Sequence, residues 1–179
     1  MKLQIKPLML AAAVSMALGT PAANAAEQPI GEPVEVNGME IAAVYLQAVK
    51  MEPMMPGMME PTDIHLEADI HALKGNANGF GEGEWMPYLG ITYRLEKQGS
   101  NWSTAGQFHP MVAADGPHYG ANIKLDGPGK YHLTYYIKPP AYKGFYRHFD
   151  KETGVGEWWK PFTVEWDFTY VGTGKKGGY

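Results

Sequence analysis

The sequence predicts an all-β protein, an immunoglobulin-like antiparallel β-sandwich. Three observations carry this expectation. Short apolar or alternating runs recur from Val34 onward at fairly even spacing. Clusters of Gly, Pro, Asn and Asp separate them. No segment of this region combines helical spacing of apolar residues with capping signals.

The elements follow in order. Val34 and Val36 precede Asn37-Gly38, the favoured pair for a type I′ hairpin. Met39 to Val49 reads as a long apolar strand. Ile64, Leu66, Ala68, Ile70 and Ala72 alternate with His65, Glu67, Asp69 and His71, a strict period of two. Gly90 to Lys97, Ala121 to Leu125, Tyr131 to Lys138 and Phe162 to Val171 supply further strands. Trp158, Trp159, Phe162, Trp166, Phe168 and Tyr170 make the last region aromatic, which suits core and interface. The tail Gly172 to Tyr179 is expected to fray.

The first 25 residues read as a leader outside the fold. Lys2 and Lys6 make a basic start, Leu8 to Leu18 an apolar run, and Ala23-Asn24-Ala25 a small-residue cleavage signal. A run of eleven residues rises only about 16 Å as a helix, roughly half the hydrocarbon thickness, so it does not suit a membrane anchor. Cleavage after Ala25 leaves residues 26–179 as one domain of 154 residues. The leader carries two Lys and no acid, so the formal charge moves from −4 to −6. An acidic exported protein of this kind, periplasmic in a bacterium, is not built to bind nucleic acid or an anionic membrane. The chain has no Cys, which excludes disulfides, thiolate metal sites, a cysteine nucleophile and a lipoprotein anchor.

The alternating strand is the most informative segment. One face is apolar, and the other carries His65, Glu67, Asp69 and His71 in line. Residues two apart on a strand lie roughly 6.5–7 Å apart on one face. His65 and Glu67 can therefore converge on one ion about 2 Å from each donor. A solvated outer strand normally mixes Thr, Lys, Ser and Gln, and this one does not. Asp69 and His71 are secondary candidates, as is Glu60 for a harder cation. His109 to Gly120 combines His109, Met111 and His118 with Gly and Pro, and reads as a ligand-presenting loop. Its thioether favours copper, and its imidazoles suit copper, zinc or iron. Taken alone, His148 in Phe145 to Asp150 is a surface-loop histidine, and His132 is structural.

Met51, Met54, Met55, Met58 and Met59 are five of the eight Met that follow the leader. Pro53, Pro56, Gly57 and Pro61 make this stretch a loop. An adaptable apolar contact surface ranks ahead of thioether capture of Cu(I) there. The chain lacks a Ser–His–Asp order, a phosphate-binding Gly loop and a nucleophile elbow.

These residues resemble a known family. The leader, Val36-Asn37-Gly38-Met39-Glu40, the Thr62 to His71 strand, Met111 to His118, and Tyr146-Arg147-His148-Phe149 match it in order. The sequence is similar to the periplasmic iron-transport proteins that work beside an inner-membrane iron permease. The resemblance implies an immunoglobulin-like homodimer that binds copper, with iron, or manganese in its place, in or beside the same site. It implies the ligands His65, Glu67, Met111, His118 and His148. The expected function is capture of iron and its delivery to the permease, ahead of an enzyme. The alternatives are copper-dependent oxidation or reduction of iron, and copper handling by the Met-rich loop. Imidazole must be neutral to ligate, so affinity is expected to fall on acidification through the histidine range.

Overall fold

Asn37 and Gly38 adopt φ of 53° and 72°. These are the two left-handed residues that a type I′ turn requires, and they join β2 (Val34–Val36) to β3 (Met39–Gln47). The structure is a computed structural model describing residues 27–53 and 61–172. The leader, the residues Met54, Met55, Met58, Met59 and Glu60, and the tail from 173 lie outside the described residues.

The remaining strands are β1 (Gln28–Pro29), β4 (Ile64–Ala72), β5 (Gly90–Lys97), β6 (Ser103–Gln107), β7 (His109–Ala113), β8 (Gly116–Ile123), β9 (Gly129–Lys138) and β10 (Phe162–Tyr170). A 3₁₀ turn covers Pro140–Lys143. One sheet has the order β1-β3-β4-β8-β7, with β2 also on β3. The other has the order β10-β9-β5-β6. Every pairing is antiparallel. The two sheets form a sandwich consistent with the immunoglobulin-like class.

The core follows the predicted alternation. Ile64, Leu66, Ala68, Ile70 and Ala72 of β4 all face inward and are buried. Leu95, Tyr131, Leu133, Tyr135 and Ile137 meet them from the second sheet in the same cluster. Two tyrosines add polar struts. Tyr119 donates to the Met86 carbonyl at 2.8 Å and accepts from the Leu89 N–H at 3.0 Å. Tyr135 of β9 crosses the core and donates to the Glu67 carbonyl at 2.8 Å, holding β4 from beneath. Trp166 and Tyr170 are buried, as expected of the aromatic C-terminal strand.

One expectation changes here. His109 to Gly120 is no loop but the hairpin β7–β8, turning at Ala114-Asp115. Two prolines disguise it. Pro110 lies on the edge strand β7, where a missing N–H costs nothing if it faces out of the sheet. Pro117 lies beyond Tyr119, the last β8 residue paired with β4. The hairpin lays His118 and Met111 side by side as register partners.

Candidate metal centre

The outer face of the six-stranded sheet carries the site. On β4, His65 and Glu67 point away from the core, yet their side chains are only 1% and 7% exposed. On β8, His118 is 7% exposed. The Nε2 atoms of both imidazoles aim at the same carboxylate oxygen. His65 Nε2 lies 3.4 Å and His118 Nε2 3.5 Å from Glu67 Oε1. One potential ligand atom from each of these three residues lies within 4.8 Å of the others. The two rings meet edge-on, 5.8 Å between centroids.

Backbone pairing explains the convergence. Glu67 of β4 is opposite Gly120 of β8, and His65 is opposite Asn122. Gly120 leaves a gap above the sheet, and the His65 ring fills it. A Cβ at Gly120 would lie 2.6 Å from His65 Nε2 and 2.9 Å from Cε1. The other nitrogen, Nδ1, is 2.9 Å from Asn122 Oδ1.

The electrostatics are those of a site short of positive charge. Burial, with repulsion from His118 and against the Asn122 hydrogen bond, lowers the His65 pKa to about 4. Burial first, then Asp69, Glu27 and Asp115, raises Glu67 to about 8. Burial also raises Asp69 and Glu27. At neutral pH His65 is a neutral imidazole, and its buried Nε2 has no hydrogen-bond partner among the described residues. An atom of that kind costs free energy until a proton donor or a metal meets it. A protonated Glu67 must also shed its proton before it could ligate, which adds an acid dependence of its own.

The other candidates fall in several places. Met111, half-buried, is register partner to His118 and lies on the same face. Asp69 lies one step along the same face and is electrostatically coupled to His118 and Glu67. His71 is half-buried at an isolated bridge with Trp85, outside the three-residue cluster. His148 is also outside it; its side chain is 74% exposed, with Nδ1 2.7 Å from the Thr153 hydroxyl. Met51 is half-buried. His132, expected to be structural, pairs with Asp167 on the opposite sheet at 2.8 Å. Sequence reasoning did not nominate Gly120, Asn122, Glu27 or Asp115. The signal for the first two was period-two spacing with His118 on β8.

Residues 24–172 match the family described as Fe2+ transport protein. The chain belongs to that family. A UPF0423 protein of Brucella abortus (strain 2308) is 54% identical over 178 residues, covering 96% of this chain and 95% of its own. A 34 kDa membrane antigen of Treponema pallidum is 42% identical over 153 residues, covering 82% and 74%. Two similar solved structures contain copper. A copper-bound variant of FetP from uropathogenic Escherichia coli strain F11 has a TM-score of 0.78 at 58% identity, covering 82% of this chain and 99% of its own. Copper-reconstituted P19 from Campylobacter jejuni has a TM-score of 0.79 at 55% identity, covering 84% and 99%. Among the described residues of this family member, no helix is long and apolar enough to cross a membrane.

Proposed function

We propose that this protein is a periplasmic carrier of an iron-uptake system, with a copper centre at His65, Glu67, Met111 and His118. The observation that carries the proposal is the buried Nε2 of His65, without a partner among the described residues and aimed, with His118 Nε2, at one Glu67 oxygen. Imidazole and thioether donors suit Cu(I) and Cu(II), and Cu(II) tops the divalent affinity series. Copper bound there would supply a redox-capable positive centre. Glu67 would give up its proton, and His65 would bind without losing a charge. The leader, and the periplasmic expression of recombinant FetP, support the location.

Iron is the cargo in this proposal, with manganese able to take its place. Hard cations prefer oxygen, and the raised pKa values of Glu67, Asp69 and Glu27 mark carboxylates that a cation would relieve. The proposed partner for delivery is an inner-membrane iron permease. The proposed assembly is a homodimer. Its support is exposed apolar surface beside two ligand candidates: Tyr146 and Phe149 beside His148 are 91% and 85% exposed, and Val112 beside Met111 is 77% exposed. A second copy would cover this surface and bring its His148 to the copper centre. The Met51 to Met59 stretch is assigned an adaptable contact role.

Deleting the gene should impair growth on limiting iron while leaving copper tolerance intact. Wild-type protein should restore growth, and His118→Ala should not. Iron uptake unaltered by the deletion contradicts the proposal. Mixing Fe(II) rapidly with copper-loaded protein tests the alternative enzyme; no turnover above a free-copper control eliminates it.

A further inference from the structure

We infer that Asn122 is a positioning residue that sets the tautomer of His65 and so presents a bare Nε2 to the metal. The inference rests on the copper-site proposal for its purpose, but its geometry stands on the hydrogen bonds alone. Asn122 is held by one peptide-backbone residue through both ends of its amide. Its Oδ1 accepts from the Val49 N–H at 3.2 Å, and its Nδ2 donates to the Val49 carbonyl at 2.7 Å. A backbone N–H can only donate and a carbonyl can only accept. The pair therefore fixes which end of the Asn122 amide is oxygen, an assignment that is otherwise ambiguous for this residue type.

That oxygen also lies 2.9 Å from His65 Nδ1. An amide oxygen offers no proton, so the neutral His65 must carry its proton on Nδ1 to make this bond. Nε2 is then the lone-pair nitrogen. It is buried, lacks a partner among the described residues, and lies 3.4 Å from Glu67 Oε1. Two neighbours complete the alignment. Asn122 is the direct β-register partner of His65, and the gap over Gly120 accepts the ring. The opposite tautomer would set the Nδ1 lone pair against the Asn122 oxygen, while the Nε2 proton would block the metal position. Ligating histidines commonly have their second nitrogen held by an acceptor, and losing that acceptor costs about 10–100-fold in metal affinity. Val49 lies two residues beyond β3, so the device also ties the ligand to the point where that strand leaves the sheet.

The test uses the full mature protein without metal and then with copper. Two-bond proton–nitrogen NMR correlations report which His65 nitrogen is protonated. In metal-free wild type we expect Nδ1–H and a bare Nε2. Asn122→Leu should mix the tautomers and weaken copper binding about 10–100-fold. Asn122→Asp keeps an acceptor beside Nδ1, so it should retain the Nδ1–H form and bind more tightly than Asn122→Leu. An Nε2–H wild type overturns the inference. So does an Asn122→Leu protein that keeps both the tautomer and the affinity of wild type. If Asn122→Leu fails to fold, the wild-type assignment and the Asn122→Asp tautomer still decide. Wild-type protein that shows the Nδ1–H tautomer and binds no copper would remove the copper proposal and leave the Asn122 assignment intact.

Discussion

The two outer faces of the sandwich carry the same residue types in opposite physical states. On the six-stranded sheet, His65 and Glu67 are 1% and 7% exposed. On the four-stranded sheet, His132 and Asp167 are 34% and 66% exposed. In the open pair the imidazole meets a carboxylate at 2.8 Å, and Gln98 donates to the same carboxylate oxygen at 2.9 Å. Water and neighbours satisfy such a pair, and it is worth about 1 kcal/mol or less. In the closed pair the His65 Nε2 meets no hydrogen-bond partner among the described residues, and Glu67 is pushed up to about 8. Burial, and not the presence of histidine beside acid, separates a metal centre from a surface ion pair.

The sharpest way to break this contrast is one deletion on each face. His118→Ala should abolish tight copper binding, since a donor and the geometry vanish together. His132→Ala should leave it unchanged. Parallel copper titrations check both, and equal loss in both contradicts the assignment. Next in size is Gly120→Ala. Its Cβ would lie 2.6 Å from His65 Nε2, so the ring must move. Copper affinity should drop about 10–100-fold, with about 1–3 kcal/mol of destabilisation from overpacking. Titration together with urea unfolding measures both parts.

The pH response is a smaller effect. Glu67 has a folded pKa raised from 4.5 to about 8, so its proton stabilises the metal-free fold fully below pH 4.5, and that stability is lost as pH rises through about 8. His65 is lowered from 6.5 to about 4; its contribution is present above pH 6.5 and lost as pH falls through about 4. The two slopes oppose one another between pH 4.5 and 6.5. Above pH 6.5 only Glu67 of these two still changes, and its share of metal-free stability should fall by about 1–2 kcal/mol by pH 8. Glu67→Gln should flatten that fall in thermal unfolding curves. Copper affinity should rise with pH over the same window in wild type and less so in the variant. The smallest effect belongs to the open face, where His132→Ala should change stability by about 1 kcal/mol or less.

Much of this was legible in the sequence, because a strand's period of two exposes its faces directly. The Ile64 to Ala72 alternation announced both the core side and the His65–Glu67 side. The Asn37-Gly38 turn was equally plain. The β7–β8 hairpin was hidden because Pro110 and Pro117 look like breakers until the register shows what each side of their strands is paired with. Asn122 and Gly120 could not be ranked from sequence. Their importance comes from lying opposite His65 and Glu67, a pairing between residues more than fifty positions apart. Glu27 and Asp115 were missed for a similar reason, since their effect on Glu67 acts through space.

The most direct measurement is a crystal structure of the copper-loaded protein with anomalous data at the copper edge. A single strong peak should lie within about 2.1 Å of His65 Nε2 and an imidazole nitrogen of His118. A peak at His132 and Asp167, with none between His65, Glu67 and His118, would contradict the assignment.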